Sequence, residues 1–226
     1  MGPGRHCAGR AGAGAAGQVN ELPCSAAAER NKHAIFEVLR QMLPAQGRAL
    51  EIASGPGQHV ACFAAGLPQW TWQPTDYQAS VLPTITTRVT QQGLANVQTP
   101  LQLDVTATQW FATEEPVPCF NLIFCANMLH VSPWPTCAGL MQGSARHLAL
   151  GAMLITYGPY LEDTVATASS NLEFDLSLRA LNPTWGIRRR AEVEMEATKA
   201  GLCLSARHAM PANNLLLVWR LASDLD

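Results

Sequence analysis

The stretch Ala49-Leu50-Glu51-Ile52-Ala53-Ser54-Gly55-Pro56-Gly57-Gln58-His59 decides how this chain is read. Ala49 to Ala53 reads as a short buried strand. Two glycines then mark a turn, and Val60, Phe63 and Ala64 give the next segment a helical apolar face. Strand, glycine turn and helix in that order form the usual cradle of a nucleotide-like cofactor, because glycine lets the backbone approach a ligand closely. Ser54, Gly55, Gly57 and Gln58 are the expected contacts there, with Glu51 beneath them. Glu51 also discriminates among cofactors. A carboxylate at the strand end repels a pyrophosphate and attracts a ligand bearing an ammonium and a sulfonium, which points to S-adenosylmethionine. A nicotinamide oxidoreductase is the alternative. It meets two obstacles, Glu51 itself and Val60 where the third glycine of the dinucleotide fingerprint would stand.

Outward from this stretch, helical and strand patterns alternate. Ser25 is a candidate N-cap, and Ile35, Val38, Leu39, Met42 and Leu43 form one face of a helix that Pro44 closes. After the glycine turn come a helix to about Leu67, a strand Trp70 to Thr75 ending at Asp76, and a helix around Val81 to Gln92. A third strand covers roughly Val97 to Leu103. Phe120-Asn121-Leu122-Ile123-Phe124-Cys125 is nearly continuous in apolar character, as a central parallel strand buried on both faces would be. A helix (about Ala138 to Leu148), a strand (Ala152 to Tyr157) and helical segments Glu173–Leu181 and Glu192–Lys199 follow. Strands Leu202 to Met210 and Leu215 to Arg220 end the chain, joined by Pro211-Ala212-Asn213-Asn214. The pattern predicts a doubly wound α/β sheet, mostly parallel, with an antiparallel C-terminal strand.

The chain has 226 residues, 48% hydrophobic and 14% charged, enough apolar material for one domain of ordinary size, placed at residues 25–221. Residues 1–24 read as a disordered Gly/Ala-rich leader, with mitochondrial targeting as the other reading of its two arginines. A net charge of −2 gives no electrostatic reason for a nucleic-acid partner, and no run of apolar residues is long enough to span a membrane. Arg188-Arg189-Arg190 could touch an anion, but reads first as a solvated helix start. Seven cysteines, odd in number and never spaced C-x-x-C, argue against zinc or a disulfide framework. Cys62, Cys119 and Cys125 sit in apolar segments as small core residues would, and reduced thiols suit a cytoplasmic protein.

In doubly wound sheets ligands bind at the carboxyl ends of the strands. Asp76, nineteen residues beyond Gly57, is the expected partner of the ribose hydroxyls, its other reading being an ordinary turn aspartate. Asp104 is placed at the adenine, or caps the next turn. Asn127 follows the fourth strand and is expected at the cofactor or as a loop-forming residue. His130 is the candidate general base and Tyr157 a second catalytic candidate, each weighed against a purely structural role. Tyr160, Asn171, Asp175, Arg179, Trp185 and Asn213 form the substrate-side candidates, with helix capping and core packing as the rival accounts. No metal is expected.

Several segments together resemble the methyltransferase-like protein 26 family. They include Ala27-Ala28-Glu29-Arg30-Asn31-Lys32, the glycine stretch from Glu51 to His59, Trp72 to Asp76, Asn127-Met128-Leu129-His130-Val131-Ser132-Pro133 and Tyr157-Gly158-Pro159-Tyr160. Asn182 to Gly186 and Met210 to Asn214 complete the set, and the likeness runs from about Ala26 to Arg220. The resemblance implies a class I methyltransferase fold with a seven-stranded sheet and an S-adenosylmethionine site. It also implies that Arg30 and Asn31 belong to a lid over the cofactor. Pro56 departs from the family, which has a small or hydroxylated residue there. The proline either removes an amide the cofactor needs or rigidifies a turn already at the right φ. The expected activity is methyl transfer to a small-molecule or protein acceptor, and the rival is a silent member of the fold that acts by binding.

Overall fold

A computed structural model describes residues 22–111 and 119–224. Helix α1 (Ala26–Met42) precedes β1 (Gly47–Ile52), α2 (Gln58–Gly66), β2 (Trp70–Asp76), α3 (Leu82–Gln91) and β3 (Leu101–Gln102). The second half runs β4 (Phe120–Ala126), α4 (Pro135–His147), β5 (Leu148–Leu161), α5 (Ser169–Leu181), β6 (Arg188–Arg189), α6 (Arg190–Lys199), β7 (Leu202–Met210) and β8 (Asn214–Leu221). The strands lie in the order β3-β2-β1-β4-β5-β8-β7, with the two-residue β6 beside β5. β8 is antiparallel to both its neighbours, and the other pairs are parallel. This is the expected doubly wound sheet, seven strands on the main path with the short β6 added.

The order reverses between β1 and β4, whose register sets Glu51 opposite Phe124 and Ile52 opposite Cys125. The carboxyl ends of these two strands therefore open side by side at the switch point, where such sheets bind ligands. Apolar burial fixes that edge from both faces. Ile35 and Leu39 of α1, Val60 and Phe63 of α2 and Ile85 of α3 pack with Trp72 and Phe124 on one face. Leu140 and Met141 of α4 and Val193 of α6 pack with Ile123 and Trp219 on the other. At about 25 cal/mol per Å² of apolar surface, burial of this kind is the main force holding the sheet between its helices.

Local chemistry explains where the elements begin and end. The Ser25 hydroxyl accepts the Ala28 amide and caps α1 as expected. β3 is far shorter than the expected Val97 to Leu103. A single bridge joins Val97 to Trp72, and then Pro100, which has no N–H to give, interrupts the ladder. α5 starts four residues before the expected Glu173, behind Ala168, which makes no side-chain cap. Arg188 is not a solvated helix start. Its guanidinium donates to the carbonyls of Leu129, Ser132 and Thr184 and lies over the Trp134 ring at 5.6 Å. Cys125 is buried as expected, Cys62 only partly, and Cys119 is exposed. Residues 1–21, the bulk of the expected leader with Cys7, lie outside the described residues. No described helix is long and apolar enough to cross a membrane.

Candidate functional site

The turn after β1 is built on left-handed backbone. Gly55 and Gly57 hold φ of 53° and 79°, and Ala53 adopts 55° without being a glycine, a conformation that costs an alanine about 1 kcal/mol. A Cβ added to Gly57 would lie 3.1 to 3.3 Å from Ile85, so both conformation and space require glycine there. Asp76 clamps the turn from β2. One carboxylate oxygen accepts the Gly55 amide at 2.9 Å and the other accepts the Gln78 amide at 2.8 Å. Thr75 adds a second tie, its hydroxyl donating to the Glu51 carbonyl at 2.7 Å while its amide donates to Ser54 Oγ. Pro56 sits between the two left-handed glycines, and its carbonyl accepts Arg88 Nε at 2.8 Å.

Glu51 lies beneath this turn, 1% exposed. Neither carboxylate oxygen has a partner within hydrogen-bond geometry among the described residues. Burial drives its pKa up to about 8. The Ser54 side chain and the Val60 amide, both facing the carboxyl, offset part of that rise, and the charge of Asp76 adds to it. An unpartnered buried carboxyl is costly, and it suits a neighbour that brings positive charge or N–H donors.

A cleft of about 800 Å³ opens beside the turn, at the carboxyl ends of β4 and β5, with α1 and α5 as its other walls. Six residues singled out from the sequence meet there: Arg30, Asn31, Asn127, His130, Tyr157 and Asn171. Asn127 turns the chain after β4 with φ of 58°, and its amide donates to the Tyr157 carbonyl at 2.8 Å. His130 sits on the one-turn 3-10 helix Leu129–Val131. That turn is held from below, as Arg188 donates to the Leu129 carbonyl and the Gly186 amide to the His130 carbonyl. The ring is buried, makes no hydrogen bond among the described residues, and is met edge-on by Phe174 at 5.5 Å. Burial and, less, the Arg188 charge lower its pKa to about 4, so the ring stays neutral at physiological pH. The Tyr157 hydroxyl interacts with the side chains of Asn31 and Asn214, and Asn31 Oδ1 is itself held by the His59 ring at 2.7 Å.

Other expected residues stand elsewhere. The Gln58 amide is occupied by α1, accepting the Ser25 N–H at 2.6 Å and donating to Glu29 at 2.7 Å, so it acts as a brace. Tyr160, three residues from Tyr157 on one strand, faces the opposite side of the sheet, where its hydroxyl donates to Thr156. Asp175 and Arg179 pair with each other at 2.8 Å, and Asp175 also accepts the Ile187 amide, bracing the loop before β6. Trp185 is half-buried in that loop and does not line the cleft. Asn213 lines a smaller neighbouring cavity and accepts Asn171 through its carbonyl, whereas Asn214 reaches the cleft. Asp104 is exposed and caps its own turn, one oxygen accepting the Thr106 amide and hydroxyl. Sequence reasoning missed His59, Phe174 and Asn214. His59 directly follows the quoted Gln58, and Phe174 falls in a segment read only for its helical period. Among the described residues no cluster of His, Cys, Asp and Glu could hold a metal.

The fold is shared with solved methyltransferase structures. The mitomycin 7-O-methyltransferase MmcR superposes over 85% of this chain and 54% of its own, at 17% identity and a TM-score of 0.70. CalO1, a methyltransferase of calicheamicin biosynthesis in its SAH-bound form, does so over 84% and 54%, at 17% identity and 0.65. An O-methyltransferase family 2 protein from Planctomyces limnophilus, in complex with apigenin, does so over 84% and 61%, at 19% identity and 0.65. The chain thus spans little more than half the length of these proteins, and identities this low establish a common fold. The chain itself belongs to the family described as protein of unknown function (DUF938), whose model matches residues 22–221.

Proposed function

We propose that the chain is an S-adenosylmethionine-dependent methyltransferase acting on a small molecule, and a member of the methyltransferase-like protein 26 group that its sequence resembles. The observation that carries this reading is Glu51, a buried carboxyl without a hydrogen-bond partner among the described residues, beneath a glycine turn that Asp76 clamps. Those residues fit the cofactor. Gly55 and Gly57 admit it to the backbone, Asp76 stands at the end of β2 where a ribose diol would be met, and Glu51 favours its cationic end through the field or a bridging water. When bound, the cofactor supplies a methyl already activated by a sulfonium, so the chain's task is positioning. His130 can accept a proton at the cleft, Asn127 and Tyr157 can orient an acceptor, and the apolar walls exclude water. Cleft size favours a small molecule over a protein side chain. The buried thiols Cys125 and Cys137 suit a reducing compartment such as the cytoplasm.

A binding-only role is the second reading, favoured by one observation. A His130 held near pKa 4 is a weak base for a hydroxyl acceptor. Calorimetry with S-adenosylhomocysteine and with NAD tests the cofactor. Micromolar binding of the first and none of the second is expected, and binding of NAD alone would sink the proposal. Turnover of labelled cofactor in cell extract then separates enzyme from binder.

A further inference from the structure

The electrostatics of the cleft go further than its size. Arg30 is the one charged side chain on its wall among the described residues, and no acid faces it. Its neighbour Glu29 is turned the other way, paired with Lys32 and Gln58 on the α2 side of α1. Arg30 itself makes no ion pair or hydrogen bond among the described residues, although Glu162 and Asp175 have each drawn in arginines of their own. The remaining polar groups are uncharged. Asn31, Asn127, Asn171 and Asn214 present carboxamides, and His130 stays neutral because burial lowers its pKa. Ala34, Val131, Pro159 and Phe174 supply the apolar surface. No residue of the turn from Ala53 to Gly57 lines this cleft, and Arg30 shares its wall with groups from the ends of β4 and β5.

We propose that the cleft takes an amphipathic carboxylate, an apolar or aromatic body lying between Phe174 and Val131 with its carboxylate paired to Arg30. This rests on the methyltransferase reading only in making that molecule the acceptor. A guanidinium at the mouth of a cleft offers two parallel donors to a carboxylate, and the apolar walls strengthen the pair relative to one in open water. A cationic acceptor meets repulsion, and a neutral one leaves the charge unanswered. The amino-acid end of the cofactor is a second source of the same carboxylate chemistry, and the test separates the two.

The full chain, saturated with S-adenosylhomocysteine, is titrated calorimetrically with cinnamate, octanoate and naphthoate and with their primary amides. At least one carboxylate should bind about tenfold more tightly than its own amide. Arg30→Gln should erase that preference, and Arg30→Lys should keep part of it. Both variants should hold S-adenosylhomocysteine within about twofold of the parent and unfold at the same temperature, since Arg30 is an exposed residue of α1. Equal binding of every carboxylate and its amide overturns the proposal. So does an Arg30→Gln variant that retains the preference, or one that loses S-adenosylhomocysteine affinity instead, which would assign Arg30 to the cofactor. If the parent fails to bind S-adenosylhomocysteine, the methyltransferase reading falls, and the carboxylate preference is then scored on the protein alone.

Discussion

The glycine turn and the cleft share the carboxyl edge of one sheet, yet they are held in opposite ways. At the turn, backbone and side chains are locked together: Asp76 takes the Gly55 and Gln78 amides, Ser54 takes the Thr75 amide, Thr75 ties the Glu51 carbonyl, and the Glu51 carboxyl is the group left over among the described residues. At the cleft, Asn31, Tyr157, Asn171 and Asn214 are tied to one another or to the frame, whereas His130 and Arg30 are left unspent. Among the described residues the His130 ring makes no hydrogen bond and Arg30 has no counter-ion, and the rigidity lies one layer back, in Arg188 and His59. The turn is preorganised for one fixed ligand, and the cleft presents adaptable groups on a fixed frame. That is the division expected between a constant cofactor and a variable acceptor.

Substitutions can break this division, beginning with the largest effect. Gly57→Val puts a β-branched residue at φ of 79° against Ile85. It should cost about 2–4 kcal/mol and remove measurable S-adenosylhomocysteine binding, read by thermal unfolding and calorimetry. His130→Asn, which spares the turn, should lower turnover about 100-fold while leaving cofactor affinity unchanged. Loss of cofactor affinity in that variant would mean the two ends are not separate. The rate should also show no inflection near pH 6.5, because the ring is neutral down to about pH 4.

Stability against pH gives the next test. His59 and His130 have pKa values lowered to about 4, the first also by burial, so they bind fewer protons folded than unfolded. They should destabilise the protein as pH falls from about 6.5 to 4. Glu51, raised from 4.5 to about 8, binds more protons folded, so its contribution falls as pH rises from 4.5 through 8. From these three groups, stability should peak near pH 6.5, and Glu51→Gln should abolish the alkaline limb in denaturant titrations. By the same linkage, a cationic ligand that ionises Glu51 should release protons at pH 7. Calorimetry in buffers of different ionisation enthalpy reads that release, and Glu51→Gln should remove it. The smallest change belongs to Tyr157→Phe, which removes a hydroxyl shared by Asn31 and Asn214 and should cost a few-fold in acceptor affinity, about 1 kcal/mol.

Residues whose meaning is local were legible from the sequence. The apolar run of β4, the Ser25 cap and the glycine turn are set by neighbours in the chain, and each stands where its pattern put it. Three cleft residues, Asn127, His130 and Tyr157, were found because the ends of parallel strands converge by topology, whereas Arg30 and Asn31 came from the family resemblance and Asn171 from its polar character. What the sequence hid was commitment to distant partners. Nothing local tells that Gln58 spends its amide on Ser25 and Glu29, or that Arg188 turns inward to carbonyls 56 and 59 residues away. The tyrosines are a milder case, since three residues along a strand reverse the face, and that parity places Tyr157 and Tyr160 on opposite sides of the sheet.

Helix α1 is a wall common to both ends. Gln58 holds it through Ser25 and Glu29 and His59 through Asn31, Arg88 bridges the carbonyls of Pro23 and Pro56, and Arg30 and Asn31 line the cleft. If a cofactor and an acceptor bind as proposed, one helix serves as gatepost to both, and a variant that loosens α1 should alter the residence time of each.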